Sequence, residues 1–279
     1  MVRVVVDTTC SMTLDWYDQH GIIALPLYVR EGENVQRELF DVSYDEFYRR
    51  QRAGARFATA QPDPNTFLET FRPAVEAGDE VICILLSSRI SGTVNSANLA
   101  KQLLETDRVS IIDSRQSGFG QAALALKAKE LAEAGTGREE IVSALEDQIT
   151  RSRTYFVVES LRYLYEGGRL SGAQALIGSL IQIKPIIWFA PDGTMESLEK
   201  VRTTKAARAR LLDLVKERVE RGVERIALHY GDNLEEATAF AREMEALAGM
   251  PVPLVKLSPV LTSHTGPEIL GPCIITRTE

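Results

Sequence analysis

The sequence has few cysteines and no long apolar run. Its three cysteines, Cys10, Cys83 and Cys273, lie far apart and form no Cys-x-x-Cys pair. Isolated cysteines, two of them in apolar stretches, are typical of buried thiols in a reducing compartment, so we expect a cytoplasmic protein. The longest uncharged stretch, Leu170–Ile183, contains Ser, Gly and Gln. It is shorter than the roughly 20 apolar residues of a transmembrane helix, which predicts no membrane span.

Basic residues are not in excess either. The 279 residues include 32 Lys and Arg against 39 Asp and Glu, for a net charge of −7. No overall positive field is therefore available to attract nucleic acid or anionic lipid. No spacing of His, Cys or carboxylates predicts a metal site. The chain begins Met-Val-Arg-Val-Val-Val-Asp, which we expect to be a strand rather than a secretion signal.

Short β-branched runs alternate with stretches of helical periodicity along the whole chain. This alternation predicts an α/β fold with largely parallel strands covered by helices. Ala190-Pro-Asp-Gly193 joins Ile186–Phe189 to a short run near Met195–Leu198, which predicts a hairpin and a mixed sheet in the second half. The predicted strands are Val2–Val6, Ile22–Val29, Val81–Leu86, Val109–Asp113, Tyr155–Glu159, Lys184–Phe189, Arg225–Tyr230, Val252–Leu257 and Cys273–Thr276.

Two consecutive helices, Ser117–Ala134 and Arg138–Arg151, are predicted around the glycines of Gly135-Thr-Gly137. They separate two predicted strands, so we place a domain boundary near residue 154, between domains of residues 1–154 and 155–279. No low-complexity linker lies between the two halves. We therefore expect them to pack closely, with the ligand in the cleft between them.

Hydroxyl side chains are concentrated in two loops. The strand Val81–Leu86 runs into Ser87-Ser-Arg-Ile-Ser91-Gly92-Thr93, and a helix from Val94 to Leu104 follows. The free N–H groups of a helix N-terminus and the close approach that a glycine permits favour one carboxylate here. The alternative is that Ser91 or Thr93 only caps the helix. Thr59 is a candidate for the same ligand, or else a turn hydroxyl bonded to its own backbone.

Three basic features could also serve a ligand or a partner. His264 lies in Leu261-Thr-Ser-His-Thr-Gly-Pro-Glu268, which predicts a loop between two strands, either functional or a plain surface loop. Arg169 follows two glycines and is either an anion ligand or a helix-cap or ion-pair residue. The run Lys200–Arg210, which includes Arg202, has five bases and no acid. It predicts a docking stripe or a solvated helix face.

Two enzyme hypotheses remain open at this point. Gly118-Phe-Gly-Gln-Ala-Ala123 matches a dinucleotide-binding pattern, yet four residues separate it from Asp113 and two helices precede the next strand. An esterase or acyl hydrolase could use Ser91 and His264 with Asp7 or Asp113, although Ser91 has no GxSxG surroundings.

Seven motifs, taken in order, resemble those of the DegV family of bacterial fatty-acid-binding proteins. The resemblance extends over essentially the whole chain, and the joint order of the motifs is more specific than any one of them. The motifs are Val5–Cys10 (VVDTTC), Thr59–Pro62 (TAQP), Leu86–Ala97 (LSSRISGTVNSA), Ile112–Gly118 (IDSRQSG), Leu161–Ser171 (LRYLYEGGRLS), Ile183–Ile186 (IKPI) and His264–Pro267 (HTGP).

The resemblance implies a non-catalytic, two-domain α/β carrier that holds one long-chain fatty acid, such as palmitate, between its domains and needs no cofactor. In similar proteins Thr59 and Ser91 correspond to the residues that contact the carboxylate, with Gly92 and Thr93 as neighbours and His264 close by. Some members hand the acid to a separate ATP-dependent kinase, which forms an acyl phosphate for phospholipid synthesis.

On that analogy, Arg169 and Arg202 are candidates for contact with the kinase or a phosphate. A buried tail of about 16 carbons would contribute on the order of 10 kcal/mol before ordering costs, so the tail would dominate affinity. Two positions depart from the family pattern. Ala60 replaces a usual serine, which predicts fewer hydrogen bonds to the head group, and Glu268 replaces a common glycine, which adds negative charge near the expected exit.

Overall fold

The computed structural model describes residues 1–170 and 183–279, which form a mixed α/β fold. The strands are β1 (Val2–Asp7), β2 (Ile23–Leu25), β3 (Tyr28–Glu31), β4 (Asn34–Arg37), β5 (Ala58–Ala60), β6 (Glu80–Leu85), β7 (Val109–Asp113), β8 (Ser152–Val158), β9 (Lys184–Phe189), β10 (Met195–Val201), β11 (Val223–Tyr230), β12 (Leu254–Lys256) and β13 (Ile269–Thr276). The helices are α1 (Leu14–His20), α2 (Tyr44–Arg52), α3 (Pro64–Glu76), α4 (Thr93–Leu104), α5 (Phe119–Glu133), α6 (Arg138–Arg151), α7 (Arg162–Gly167), α8 (Thr204–Val219), α9 (Leu234–Ala248) and α10 (Pro259–Thr265).

The N-terminal half is built on a parallel sheet in the order β2-β1-β6-β7. Both faces of this sheet are buried, which explains why its strands are continuous apolar runs rather than alternating ones. Val4, Val6 and Ile84 pack in one core with α1, α5 and α6, whereas Val5 and Cys83 pack in the other with α3 and α4. The predicted parallel sheet is confirmed.

The C-terminal half is built on a mixed sheet in the order β10-β9-β8-β13-β11-β12. Among the described strands of this sheet, only β11 and β12 pair in parallel, and β9 and β10 form the predicted hairpin. Alternate residues such as Tyr155 and Val157 pack under α8 and α9. Their neighbours on the opposite face, such as Phe156 and Phe189, belong to a separate cluster with Ile90 of the N-terminal half.

A small antiparallel sheet, β4-β3-β5, lies beside the parallel one. The prediction of one strand over Ile22–Val29 is wrong, because the chain leaves the parallel sheet after β2 and enters the small sheet at β3. Pro26 lies at this break, where a residue without an N–H group cannot continue a ladder. The loop predicted around Thr59 is also wrong, since Thr59 is the middle residue of β5.

The predicted loop around His264 is a helix, because α10 covers Pro259–Thr265. Ser258 and Pro259 provide a typical start, with proline in the first turn. The hydroxyls of Thr262 and Ser263 donate to the carbonyls of Ser258 and Pro259, at 3.1 and 2.8 Å. These bonds satisfy buried hydroxyls in a segment whose composition favours turns.

The predicted helix boundaries agree closely with the structure in the middle of the chain. The helix Arg138–Arg151 is found as predicted, and Asp63 caps α3 through the Thr66 N–H. The two large sheets divide between α6 and β8, while the domain boundary near residue 154 stays a prediction. Among the described residues, no helix is long and apolar enough to cross a membrane. The pair Gly167-Gly168 predicts a turn between two helical stretches, and the second stretch lies outside the described residues.

Candidate functional site

A cavity lies between the carboxyl-terminal edge of the parallel sheet and the inner face of the mixed sheet. It encloses about 860 Å³ of space without protein atoms, including the open solvent at its mouth. The carboxyl-terminal edge of a parallel sheet is the usual ligand position in α/β proteins. Most of its lining is apolar, which suits a hydrocarbon. These apolar side chains are Leu27, Leu86, Ile90, Phe156, Phe189, Met195, Leu257, Val260, Leu261 and Ile269.

Three of the predicted binding residues meet at this cavity. Thr59 on β5, Ser91 after β6 and His264 on α10 all line it, together with Arg169. The Thr59 hydroxyl lies 2.8 Å from Nε2 of His264, so these two side chains are hydrogen-bonded. The alternative that Thr59 bonds its own backbone is therefore wrong.

Helix α10 is held in place by side chains from the N-terminal half. Tyr48 donates to the Leu257 carbonyl at 2.7 Å, and Gln51 donates to the Thr262 carbonyl at 2.7 Å. Glu38 accepts from the Val260 N–H, at the first turn of the helix. These bonds fix the backbone that carries His264 against the small sheet that carries Thr59.

Gly92 and Thr93 follow Ser91 in the chain but are not among the residues that line the cavity. Thr93 is fully buried, and its hydroxyl lies 2.8 Å from the Ser91 hydroxyl. Ser91 also accepts a bond from the Thr93 N–H at 3.3 Å. Thr93 therefore orients Ser91. The N-cap of α4 is Gly92 and has no side-chain cap, so the alternative that Ser91 or Thr93 only caps the helix is wrong.

Gln61 also lines the cavity, although no sequence pattern predicted it as a site residue. The Gln61 amide donates to the Ser96 hydroxyl at 3.0 Å. A Cβ atom on Gly92 would lie 2.5 Å from Oε1 of Gln61. Gly92 thus provides the space in which the Gln61 amide crosses the Ser91 loop. The neighbouring Ala60, the departure from the family pattern, also lines the cavity.

The imidazole of His264 is uncharged at neutral pH. Burial, with a smaller contribution from the positive charge of Arg169, lowers its pKa to about 4. Its Nδ1 atom is buried and has no hydrogen-bond partner among the described residues. Gly167, the last residue of α7, lies directly against this nitrogen. His264 therefore acts in the site as a neutral hydrogen-bonding group.

Arg169 is the cation at this end of the cavity. Its guanidinium donates to the carbonyls of Ile90, at 3.3 Å, and Gly167. Within residues 1–170 and 183–279 it forms no ion pair, and burial lowers its pKa. A partly buried cation without a counter-ion is costly, so an anionic ligand beside it is favoured.

A second, outer pocket reaches the same residues from another side. Thr59, Arg169 and His264 line both spaces, and Arg56, Tyr163 and Glu166 contribute only to the outer one. The guanidinium carbon of Arg56 lies 4.8 Å from the centre of the Tyr163 ring, and its Nε lies 3.5 Å from Oε2 of Glu166. The polar end of the cavity is therefore adjacent to the protein exterior.

The candidate hydrolase residues do not form a catalytic triad within the described part of the chain. Among the described residues, no hydrogen bond joins Ser91 to His264. Asp7 accepts from the N–H groups of Thr9 and Leu86, and Asp113 accepts from Ser88. Both candidate carboxylates are thus used in the loops that follow β1, β6 and β7.

The first turn of α5 argues against the dinucleotide-binding hypothesis. The Phe119 N–H donates to Nε2 of His229 at 2.8 Å, and Gly118 lies against the same ring. The imidazole occupies the place where a pyrophosphate would bind the helix N-terminus.

Two of the five bases of the run Lys200–Arg210 form ion pairs on the surface. Arg208 pairs with Glu236 and Glu243, and Arg210 pairs with Glu199 and Glu217. This arrangement is that of a solvated helix face. Arg202 is exposed between β10 and α8 and does not line the cavity. Glu268, the second departure from the family pattern, pairs with Arg52 at 2.8 Å.

Comparisons with known proteins agree over the whole chain. A family model for the DegV family matches residues 1–277. A DegV domain-containing protein of Listeria monocytogenes is 36% identical over 274 residues, which cover 97% of this chain and 96% of the relative.

Two solved structures are similar in fold and sequence. One is DegV, a fatty acid binding protein from Bacillus subtilis, with a TM-score of 0.90, 33% identity and 99% coverage of both chains. The other, which concerns fatty acid binding of a DegV family protein from Thermus thermophilus, has a TM-score of 0.88, 32% identity and 99% coverage of both chains.

Proposed function

Because this chain belongs to the DegV family, we propose that it binds one long-chain fatty acid in the cavity between its two large sheets. The observation that carries the proposal is the cavity itself, an apolar space with hydroxyl, imidazole and guanidinium groups at one end. The similar Bacillus and Thermus proteins are described as fatty-acid-binding, which supports the same ligand class here.

The carboxylate binds at the Thr59, Ser91 and His264 end, with Arg169 as its counter-ion. Hydroxyl donors and a guanidinium together provide charge-assisted hydrogen bonds, which are about twice as strong as neutral ones. Gly92 and Thr93 do not contact the carboxylate; they determine the conformation of the loop that positions Ser91. The acyl tail lies among the phenylalanines and aliphatic side chains of the mixed sheet.

The protein acts as a cytoplasmic carrier rather than as an enzyme, and it presents the bound carboxylate to a separate ATP-dependent fatty acid kinase. Support comes from the outer pocket, which brings the exterior close to Thr59, Arg169 and His264. Arg202, exposed and outside the cavity, is available for contact with the kinase.

Native mass spectrometry of the chain purified without added lipid tests the proposal. We expect an adduct with the mass of one long-chain fatty acid, which delipidation removes and added palmitate restores. Palmitate that fails to bind the delipidated chain in a calorimetric titration would refute the binding function.

Presentation is tested separately, with purified kinase and ATP. His264→Ala should lower the rate of acyl phosphate formation more than it lowers palmitate affinity. Equal losses would leave His264 a binding role only, and an unchanged rate would rule out its part in presentation.

A further inference from the structure

A second group of polar side chains lines the same cavity, away from the head-group residues. It consists of Ser117 after β7, Thr154 on β8 and His229 on β11. The Ser117 hydroxyl has no hydrogen bond within the part of the chain that the structure describes. The Thr154 side chain is only 3% exposed, and its hydroxyl has no partner there either. Beside it in the strand register is the Cys273 thiol, a weak hydrogen-bonding group.

The three residues are brought together by strand register and one tight loop. The Phe119 N–H donates to His229 and Gly118 lies against the imidazole, so the loop that carries Ser117 reaches the mixed sheet. His229 pairs with Gly271 on β13, and two residues further along the same strand Cys273 pairs with Thr154. Thr154 and His229 therefore share the inner face of the mixed sheet, and Ser117 lines the same cavity from the loop before α5.

This group lies at a distance from the end of the cavity that α10 lines. Ile269 follows α10 and pairs with Val158 on β8, whereas Thr154 lies four residues earlier on that strand. Four residues of extended strand span about 13 Å. A fatty acid with its carboxylate at His264 would bring its distal methylenes to Ser117 and Thr154.

The distal group is polar but carries no charge. Burial lowers the pKa of His229 to about 4, so the ring is neutral at physiological pH. Since its Nε2 accepts the Phe119 N–H, the hydrogen-bond pattern assigns the ring proton to Nδ1. No lysine or arginine accompanies these residues among those lining the cavity except Arg169, at the other end. A second carboxylate is disfavoured here, and a neutral hydroxyl fits.

We propose that the preferred ligand is a long-chain fatty acid with a hydroxyl group on the distal part of its chain, hydrogen-bonded by Ser117 and Thr154. This inference rests on the proposed function. An unsubstituted chain would press methylenes against two hydroxyls that have no strong hydrogen-bond partner among the described residues, and an unpaired buried hydroxyl is penalised. A hydroxyl on the ligand can donate to one of them and accept from the other, which removes that penalty.

Calorimetric titration of the delipidated full chain with stearate and with positional isomers of hydroxystearate tests the inference. We expect at least one isomer to bind about tenfold more tightly than stearate. In Ser117→Ala and Thr154→Val the preference should fall to about twofold or less. Ser143→Ala, an exposed serine on α6, is the matched control and should keep the full preference. Thermal unfolding of each variant checks that it folds.

The outcomes separate the two proposals. Tight stearate binding with no isomer preferred would overturn the hydroxyl specificity and leave the fatty-acid carrier intact. A preference that survives both substitutions would also overturn it, because the selectivity would then arise elsewhere. Failure of stearate and of every isomer to bind would refute the carrier and this inference together.

Discussion

The Thr59 hydroxyl and Nε2 of His264 lie 2.8 Å apart although 205 positions separate them in the sequence. Thr59 comes from the small sheet of the N-terminal half, and His264 from the helix that precedes the last strand. The head-group site therefore exists only when the two halves are packed together.

Replacement of Thr59 by valine should weaken palmitate binding about tenfold, because it removes one hydroxyl partner while keeping the shape of the side chain. Calorimetric titration measures the loss. Thr238→Val on the exposed face of α9 is the matched control. Unchanged affinity in Thr59→Val would show that the carboxylate binds elsewhere.

Gly167→Ala tests the packing of the His264 ring. A Cβ at this position would collide with Nδ1 of His264, so the imidazole must move away from Thr59. We expect palmitate affinity to fall about tenfold, although alanine alone favours a helix over glycine. The control is Gly137→Ala, where a Cβ meets nothing within 4 Å. Equal effects of the two substitutions would argue against a constrained ring.

Arg169→Gln should affect binding and stability in opposite directions. Loss of the counter-ion should weaken palmitate binding about 30-fold, since hydrogen bonds to charged groups contribute about 1.5–3 kcal/mol. Removal of a partly buried cation that has no ion-pair partner among the described residues should raise the melting temperature of the delipidated protein. Arg72→Gln, at an exposed position of α3, provides the control. A lower melting temperature together with full affinity would contradict the assignment.

Glu38 should make the protein less stable as pH rises. Burial raises its pKa from 4.5 to about 7, so the folded protein retains this proton over a range in which the unfolded chain has lost it. The free energy of unfolding should therefore decrease between about pH 4.5 and about pH 7, by up to about 3 kcal/mol.

Denaturant unfolding of wild type and Glu38→Gln across this range measures the effect, because the variant lacks the titration. The stability difference, wild type minus variant, should become more negative as pH rises and level off above pH 7. Glu33→Gln in the exposed turn between β3 and β4 serves as control. A pH-independent difference for Glu38→Gln would refute the raised pKa.

The sequence predicted the strands and helices whose own residues determine them. Val109–Asp113, Lys184–Phe189 and Arg138–Arg151 have the predicted ends. The short strand Asn34–Arg37 was missed because it is polar and largely exposed, so only its pairing with β3 defines it. Helix α10 was missed because its hydroxyls suggest a turn, although Ser258-Pro259 was an available start signal.

The head-group residues were predicted largely from the family resemblance. No local pattern shows that Thr59 and His264 meet, because that contact depends on α10 docking against the N-terminal half. Gln61 and the polar group of Ser117 and Thr154 were missed for the same reason. In the sequence each is an ordinary loop or strand residue, and only the packing of the two halves brings it to the cavity.

The hydrogen bonds of Glu38, Tyr48 and Gln51 with the backbone of α10 and the residues before it link fatty-acid exchange to the packing of the two halves. If the two halves separate, these three hydrogen bonds and the contacts with the carboxylate are lost together. Ligand binding and release then need no separate conformational change at the head group, because separation of the two halves also releases the fatty acid. A docking protein would need only to favour the parted form.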